Sequence, residues 1–484
     1  MPRINFLTRS DLEAIHIASL TVLEKTGIAV KNENAMRLLS EAGCSVGSEV
    51  VKIPPSLVEE MVRTPPSSFS LYSRDGRQST VVGEDNVIYN PASSSIYFKD
   101  SDSGEIRKAT TDDFVKFVRL VDCMEYVGAQ STAMVPSDVP IPISDLFRLY
   151  LILKESLKPI ITGAFSKEGL THMRRILEAA VGGEDELARK PRAVFDCCPL
   201  SVLIWGDVSS QNLIDCANHG IPAAIVPAPL VGATSPVTLG GTLVQFNAEV
   251  LSGIVISQLA KPGSPLVYGG AASILDQRHG TSSIGAPEAV IIACASAEMG
   301  KFYGLPTHAY LGVSDSKAID AQSGYESAMG LIQAALAGIN LVSGPGMLLS
   351  INCQSLEKLV IDDEICGAAL RLQEGISIDG IEEIPELIRV AGPGGSYLKE
   401  KHTRKHLRKE HIFPSTVIDR LALDSWLERG SKDSNKLARG RVVYLLENHQ
   451  SDFLSDEKRD DMNLVMKEVL SKHNINSSQF SLPP

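Results

Sequence analysis

Five times between Val194 and Gly346, an apolar run with the character of a β-strand ends in small residues. These run ends read Asp196-Cys197-Cys198-Pro199, Val226-Pro227-Ala228-Pro229, Tyr268-Gly269-Gly270-Ala271-Ala272, Tyr310-Leu311-Gly312-Val313-Ser314 and Ser343-Gly344-Pro345-Gly346. Each run is followed by a loop and then by a long helical pattern. Repetition of strand, loop and helix predicts right-handed crossovers and a parallel sheet. Small residues at the strand ends predict an open edge that a large ligand can approach closely.

The same unit can be traced eight times along the chain. The predicted strands are residues 87–92, 126–132, 159–164, 193–200, 223–230, 265–273, 307–314 and 340–348. The predicted helices that follow them are residues 110–123, 144–157, 167–181, 209–219, 234–260, 286–303, 320–337 and 355–373. Eight consecutive units predict an α/β fold of the (β/α)8 TIM-barrel type. A doubly wound open sheet is the alternative, but eight units without a long break favour closure.

The regions on either side of these units differ from them in pattern. Residues 1–85 contain helical patterns at 10–25, at 33–42 and from 54, and a strand at 69–72, which predicts an N-terminal α+β cap. Residues 86–378 form the predicted barrel, with a hairpin at 95–108 after its first strand. Residues 379–484 form a predicted C-terminal helical extension, with a basic stretch at 399–409 and helices at 414–431 and 441–450.

Composition excludes some classes of protein. The chain has 46 basic and 58 acidic residues and a net charge of −12, which argues against a nucleic-acid or anionic-membrane binder. The most apolar helical pattern contains Gln245, Asn247 and Glu249, so we expect a buried helix rather than a membrane span. The start of the chain lacks the apolar region of a signal peptide, and its eight cysteines lack paired CxxC spacing. We therefore expect a cytoplasmic protein.

The common catalytic motifs are absent from the sequence. There is no phosphate loop of the GxxxxGK type, and no HxH, HExxH or clustered Cys/His set, so no metal site is expected. Lys317 follows the seventh predicted strand, where it could be a Schiff-base lysine or a solvated loop residue. A catalyst without a visible acid–base or metal set can leave the difficult chemistry to a cofactor.

Several motifs together resemble the trimethylamine:corrinoid methyltransferase family. They are residues 233–239, 268–273, 314–326, 346–348 and 359–365, and the likeness extends over about residues 7–426. The resemblance implies a (β/α)8 methyltransferase that moves a methyl group from an amine to the cobalt of a separate corrinoid protein. Founding members carry pyrrolysine, whereas this sequence contains only the standard residues. In this respect the sequence resembles the branch of the family that acts on quaternary amines such as glycine betaine, proline betaine or carnitine.

The chemistry of a quaternary amine agrees with that branch. Its nitrogen is already positive, so a Co(I) nucleophile can displace a neutral tertiary amine without a general acid. The protein then has to orient the substrate, exclude water and provide aromatic faces or carboxylates around the ammonium group. A cationic side chain can bind the substrate carboxylate. No residue is assigned a catalytic role from the sequence.

Candidate substrate-binding residues lie at or just after the strand ends. They are Asp196, Tyr268, Asp276, Arg278, Tyr310, Asp315 and Lys317. Tyr268 and Tyr310 could form a cation–π wall or fill the barrel core. Asp276 and Arg278 could face the site or form an exposed ion pair. His308 is predicted to be a hydrogen-bonded core histidine, and Glu326 a structural residue.

Gly269, Gly270, Gly344 and Gly346 are predicted to line the rim through which a corrinoid ring descends, or else to relieve crowding and form turns. None of the ten histidines lies in a DxHxxG loop of the corrinoid-binding kind, so we expect a cognate corrinoid protein to supply the cofactor. We also expect a homo-oligomer. Two other classes stay open: a barrel lyase that uses Lys317, and a non-catalytic binding protein for small cationic osmolytes.

Overall fold

Eight short parallel strands, each followed by a helix, form the centre of the computed structural model, which describes residues 2–450, 454–476, 480 and 482. Parts of the predicted C-terminal extension therefore lie outside the described residues. The strands are Ile88–Asn90, Gln130–Ser131, Ile160–Thr162, Ala193–Cys197, Ala223–Ile225, Leu266–Tyr268, His308–Tyr310 and Leu341–Ser343. The helices are Thr111–Cys123, Ser144–Glu155, Gly169–Val181, Asp207–His219, Leu239–Ala260, Pro287–Phe302, Ala321–Ala337 and Leu356–Glu374. All eight predicted units are present.

The strands pair in chain order. The second to sixth strands form one parallel sheet, and the seventh, eighth and first form another. Single parallel bridges, Tyr89–Val127 and Tyr268–Thr307, join the two sheets at both edges. The order of pairing therefore returns to the strand at which it began.

Alternation along these strands divides the apolar side chains between two cores. One cluster, here called the inner core, contains one residue from each of the eight strands or their immediate starts: Ile88, Ala129, Ile161, Val194, Ala224, Val267, Tyr310 and Leu341. The neighbouring residues on the strands pack against the helices in a larger outer core, as Phe195 and Tyr268 do. Since successive side chains of a strand point to opposite faces, this register determines which residues near the strand ends face inward.

The N-terminal region closes the amino ends of the strands. The hairpin Ser68–Tyr72 with Ser79–Gly83 places Leu71 and Val82 in the inner core. The remaining elements of this region are helices Arg9–Lys25, Glu33–Glu41 and Pro55–Met61 and strands Ile28–Val30, Ser45–Val46 and Val50–Lys52. With the amino ends covered by the hairpin, the inner core can be open to a ligand only at the carboxyl ends.

Three hairpins extend the carboxyl-end loops. They are Tyr97–Lys99 with Ile106–Lys108, Ser273–Asp276 with Thr281–Ser283, and Met347–Leu348 with Cys353–Gln354. The first was predicted from the sequence, and the other two were not. Short strands Ile204–Trp205 and Leu230–Val231, helix Glu184–Arg189 and a 3-10 turn at Ile141–Ile143 complete this part of the chain.

The C-terminal region differs most from its prediction. Its helices are Ile384–Ala391, Lys401–Glu410, Leu423–Glu428, Ser434–Asn448 and Asp456–Lys472, with a 3-10 turn at Ile381–Glu383. The predicted helix at 414–431 is reduced to Leu423–Glu428 because β-branched Thr416, Val417 and Ile418 disfavour helix. Helix Asp456–Lys472 was not predicted.

Helix Leu239–Ala260 is long and apolar enough to cross a membrane. In the structure, however, 78% of its most apolar window is buried inside the protein. Glu249, near its middle, accepts hydrogen bonds from the Leu203 backbone N–H at 2.9 Å and from Gln245. This helix is therefore packed as the core helix of a folded domain.

A buried ion pair holds the loops after the last two parallel strands. Lys358 Nζ lies 2.5 Å from Asp362 Oδ2 and donates to Ser327 Oγ at 2.6 Å. Asp362 also accepts from the Gly346 backbone N–H at 2.7 Å. Because both charged side chains are buried, each needs the opposite charge of the other to offset the cost of its removal from water.

We predict that Lys358→Met lowers the free energy of unfolding by about 3–5 kcal/mol, because the buried Asp362 loses its counter-charge. Urea denaturation monitored by circular dichroism measures this change. Lys116→Met is the matched control, since Lys116 pairs with Asp112 on an exposed helix face and such pairs contribute about 0–1 kcal/mol. Equal effects of the two substitutions would contradict a role for the buried pair.

Candidate active site

A group of buried polar side chains lies at the ends of the strands. His308 Nε2 lies 2.8 Å from Ser343 Oγ, which in turn donates to Asn90 Oδ1 at 2.9 Å. The three residues come from the adjacent seventh, eighth and first strands, and all are buried. This chain of hydrogen bonds fixes the orientation of the imidazole ring and leaves its Nδ1 directed away from Ser343.

Asp196, from the fourth strand, lies against this group. Tyr310 donates from its hydroxyl to Asp196 Oδ2 at 3.3 Å, and His308 Nδ1 lies 3.9 Å from Asp196 Oδ1. Both Asp196 Oδ1 and His308 Nδ1 are buried atoms without a hydrogen-bond partner. Buried polar atoms are nearly always bonded, so two unpaired atoms that face one another indicate a place for a ligand.

Burial determines the charge of this pair. It raises the pKa of Asp196 to about 7, although the Tyr310 hydroxyl acts in the opposite direction. It lowers the pKa of His308 to about 3, so the imidazole is neutral at physiological pH. The carboxylate consequently has no positive partner, and a cation placed beside it would favour its ionised form.

A cavity of about 970 Å³ opens at the mouth formed by the two unpredicted hairpins and the loop after the seventh strand. Asp276, Arg278, Asp315 and Lys317 all line it, so the structure brings these four predicted residues together. Ile351 lines the same cavity and also packs against the inner core that contains Tyr310. The cavity therefore borders the inner core through Ile351.

The four charged residues of the cavity are not equivalent. Arg278 Nη2 lies 2.6 Å from Asp276 Oδ2, and Arg278 is largely exposed. Lys317 Nζ donates to the Asp315 carbonyl oxygen at 2.8 Å. The Asp315 carboxylate accepts hydrogen bonds from Ser283, Ser350 and the Ile284 backbone N–H. Asp315 thus ties the three loops together, whereas Arg278 and Lys317 keep donors available to a ligand.

Tyr268 is not part of this site, contrary to one of the two interpretations of its position. Val267 faces the inner core, so the next residue on the strand faces outward. The Tyr268 hydroxyl donates to Asn247 Oδ1 at 2.9 Å, and its ring packs near Phe246 and Tyr303. Tyr268 is a packing residue between the strand and the helices and cannot form a cation–π wall.

Three of the four rim glycines are bare because protein atoms occupy the adjacent space. A Cβ atom at Gly270 would overlap the Phe246 ring, and one at Gly344 would overlap the Leu311 carbonyl. Gly346 has a φ of +89° and lies against Gln354. At Gly269 a Cβ atom would lie 3.1 Å from both the Ile225 carbonyl oxygen and His308 Nδ1, so this glycine is crowded as well and borders His308. Packing therefore explains Gly270, Gly344 and Gly346, and only Gly269 borders the candidate site.

Part of this polar group was not predicted from the sequence. His308 was predicted to be a fully hydrogen-bonded core residue, yet one of its nitrogens has no partner. Ser343 and Asn90 were not singled out, although each is a polar residue that ends an apolar strand. The same signal selected Asp196 and could have found the other two.

We predict that Gly270→Ala lowers the free energy of unfolding by about 1–3 kcal/mol, since the added methyl group forces Phe246 to move. Gly324→Ala is the control, because a Cβ there meets no atom within 4 Å. Chemical denaturation of both variants measures the difference. If Gly270→Ala is as stable as the control, close packing against Phe246 is not the reason that this position is a glycine.

Solved structures of known proteins share the fold of this chain. The crystal structure of a hydroxylamine complex of MtmB matches with a TM-score of 0.55 and 12% sequence identity, covering 97% of this chain and 90% of that chain. The monomethylamine methyltransferase MtmB of Methanosarcina barkeri matches with a TM-score of 0.51 and 13% identity, covering 96% and 93%. At these identities, the likeness concerns the fold alone.

Sequence comparison identifies nearer relatives. Glycine betaine methyltransferase of Desulfitobacterium hafniense (strain Y51) is 33% identical over 459 residues, which cover 94% of this chain and 95% of that protein. Trimethylamine methyltransferase MttB of Methanosarcina barkeri is 33% identical over 458 residues, covering 92% and 91%. The family model described as trimethylamine methyltransferase (MTTB) matches residues 1–468. The resemblance predicted from the sequence motifs is thus confirmed, and the chain belongs to the trimethylamine methyltransferase (MTTB) family.

Proposed function

We propose that this protein transfers a methyl group from a quaternary amine of the betaine type to the Co(I) of a corrinoid carried by a separate protein. The observation that carries the proposal is the buried Asp196 carboxyl group, which has an unpaired oxygen and no positive partner. The name of the glycine betaine methyltransferase relative supports the same substrate class.

A quaternary ammonium group suits the surroundings of Asp196. Such a group carries a positive charge but no N–H, so it can neutralise a carboxylate without needing a hydrogen-bond acceptor. Tyr310 donates a hydrogen bond to one carboxylate oxygen, and its aromatic ring is of the kind that attracts a quaternary ammonium group. His308 is fixed by Ser343 and stays neutral, so it does not repel the cation.

The other end of a betaine is a carboxylate, and the cavity at the mouth contains cationic side chains that could bind it. Arg278 and Lys317 both line this cavity. A charge-assisted hydrogen bond from either would orient the substrate with its ammonium group inward and its carboxylate outward. Asp276, Arg278, Lys317, Asp196 and Tyr310 are therefore our proposed substrate-binding residues, with Asp315 as the residue that positions the loops.

The methyl acceptor is proposed to come from a cognate corrinoid protein that docks at the carboxyl ends. A Co(I) corrinoid supplies a strong nucleophile, and the departing tertiary amine is neutral. The residues of this chain accordingly need only to bind the cation, exclude water and align the methyl group. The missing side chain of Gly269 lets this backbone pack closely against His308, the neighbour of Asp196.

We further propose that the cyclic order of eight parallel strands is a closed (β/α)8 barrel, which the two bridges between the sheets support. Residues 1–85 would form its N-terminal α+β cap and residues 379–484 its C-terminal helical extension. A cytoplasmic location agrees with the eight cysteines, all of which are free.

A lyase that uses Lys317 as a Schiff-base nucleophile is less well supported. Such a lysine is normally desolvated, which lowers the pKa of its ammonium group. Lys317 is exposed and donates to a backbone carbonyl instead. A non-catalytic osmolyte-binding protein would share the cation site, and only a turnover assay distinguishes it.

We predict that the purified protein converts free cob(I)alamin to methylcobalamin when glycine betaine is supplied, with choline a poorer substrate because it lacks the carboxylate. Absorbance spectroscopy under anaerobic conditions follows the conversion. If the protein binds betaines from a panel but converts none of them, the result would favour the osmolyte-binding alternative. Trapping of a substrate with borohydride would favour the lyase.

Removal of the cationic side chain that binds the substrate carboxylate should raise KM. We predict an increase of about ten- to a hundredfold in Arg278→Ala or Lys317→Ala, corresponding to the loss of one charge-assisted hydrogen bond. Arg37→Ala is the control, because Arg37 pairs with Glu41 on an exposed helix of the N-terminal region. Unchanged kinetics in both variants would place the carboxylate site elsewhere.

Binding of a permanent cation should depend on pH through Asp196. Below pH 7 the carboxyl group of the free protein is mostly protonated, so binding must release a proton. We predict that the affinity for tetramethylammonium falls about tenfold per pH unit below pH 7 and is constant above it. His308 does not titrate in this range, because its pKa is about 3.

Calorimetry in buffers of different ionisation enthalpy measures both the affinity and the released proton. Asp196→Asn is the informative variant, since the amide keeps the shape of the carboxyl group and cannot ionise. We expect it to bind the cation weakly and independently of pH. A wild-type affinity that does not change between about pH 5.5 and 8 would exclude Asp196 as the cation ligand.

A further inference from the structure

Among the eight cysteines of this chain, all of which lie in the described part, Cys198 alone is exposed. Six of the others are buried, and Cys123 is partly buried. Free cysteines of folded proteins behave as small apolar residues and are usually buried. The exposure of Cys198 therefore needs a reason other than packing.

The strand register places Cys198 on the same side of its strand as Asp196. Val194 packs in the inner core, whereas Cys197 packs in the outer core. The Val226 backbone N–H donates to the Cys197 carbonyl at 3.1 Å, so strand pairing continues to this point. Since successive side chains alternate, Asp196 and Cys198 both lie on the inner side. Cys198 is the nearer of the two to the carboxyl end.

Cys198 lies in a concave part of the surface, here called the recess. The residue is exposed, yet desolvation by the surrounding protein raises the pKa of its thiol, and the charge of Asp196 acts in the same direction. Burial raises the pKa of the Tyr310 hydroxyl as well, and the charges of Asp196 and Cys198 add to this effect. A side chain that is both solvent-exposed and desolvated by protein has protein atoms around most of it.

Two buried polar atoms without hydrogen-bond partners indicate what the recess is for. They are Asp196 Oδ1 and His308 Nδ1, which lie 3.9 Å apart on side chains that are 9% and 0% exposed. Unpaired atoms of this kind indicate a place for a ligand. Because Cys198 is exposed and follows Asp196 toward the carboxyl end, a ligand that enters from that end reaches Cys198 before Asp196.

We propose that Cys198 lines the cation site at Asp196 and limits the size of the groups on the bound nitrogen. This inference rests on the proposed binding of a quaternary ammonium group at Asp196, but it does not require methyl transfer. A thiol is small and polarisable, so it can pack against N-methyl groups, which offer no N–H to a hydrogen-bond acceptor. A larger side chain at this position would occupy the space that those groups need.

The surroundings of Cys198 also make its sulfur unreactive toward an activated methyl group. The thiolate is the nucleophilic form of cysteine, and the thiol is not. Because the pKa of Cys198 is raised, its sulfur is protonated at physiological pH. The chain can therefore place a sulfur atom beside the substrate without becoming methylated itself.

Thiol labelling of the full-length protein tests this proposal without an activity assay. An organomercury reagent binds thiols even where few are ionised, and mass spectrometry of peptides identifies the labelled cysteine. Cys198 should react before the other seven. Tetramethylammonium at about ten times its dissociation constant should slow the labelling of Cys198 about tenfold, since only the free protein then reacts. Cys123 is the internal control, because it contacts the Leu445 carbonyl on another face of the protein and its labelling should not change.

Substitutions of Cys198 test the size limit by calorimetry. Cys198→Leu should weaken the binding of tetramethylammonium at least about tenfold, because the added methyl groups fill the recess. Cys198→Ala should improve the binding of tetraethylammonium relative to tetramethylammonium at least about threefold, since it enlarges the recess. Val50→Leu is the control, because Val50 is 44% exposed in the N-terminal region. Unchanged relative affinities in both Cys198 variants would overturn the proposal.

Calorimetry also separates a failure of this inference from a failure of the proposed function. If tetramethylammonium binds without slowing the labelling of Cys198, the inference is wrong and the cation site lies away from Cys198. If tetramethylammonium does not bind at all, the cation site and this inference are both wrong. Protection of Cys198 in a protein that transfers no methyl group would support the inference and contradict the proposed function.

Discussion

The candidate site of this protein is built around one carboxyl group that lies in an apolar interior without a positive partner. Asp196 is nearly buried, Tyr310 binds one of its oxygens, and the other oxygen faces the unpaired nitrogen of a neutral histidine. Such a group is unfavourable in a protein that binds nothing, since neither its charge nor its hydrogen-bonding capacity is satisfied. A small quaternary ammonium ion would neutralise the charge of Asp196, and it has no N–H group that would itself require a hydrogen-bond acceptor.

The scaffold holds this group in place through strand register and loop anchoring. Because Val194 faces the inner core, the next inward residue on the strand is Asp196. The loops around the mouth are fixed by Asp315 and by the buried pair of Lys358 and Asp362. Rigid support of this kind is what orientation of a methyl group for in-line displacement requires.

Much of the central fold could be predicted from the sequence. Apolar runs that alternate with helical patterns predicted the eight strand–helix units, because this alternation repeats along the chain without a long break. The two hairpins at the mouth were not predicted, since their strands have only two to four residues, too few to show an alternating pattern. The helices of the C-terminal region were placed poorly because β-branched residues interrupt the first of them.

The candidate site was predicted less completely than the fold. Asp196 and Tyr310 were selected because they are functional side chains at the ends of apolar runs, and the structure places them together. Tyr268 also ends an apolar run, but its side chain points to the outer face of its strand, whereas that of Tyr310 points to the inner face. Only the register of the strands distinguishes the two tyrosines. The partners of His308 come from strands that are far apart in sequence, and no local pattern contains that information.

The most direct test of the central claim is a crystal structure of the protein with glycine betaine bound. The account predicts that the ammonium nitrogen lies beside Asp196 and the ring of Tyr310, with the substrate carboxylate directed toward Arg278 or Lys317. A betaine that binds away from Asp196, while the carboxyl group keeps its unpaired oxygen, would contradict the account.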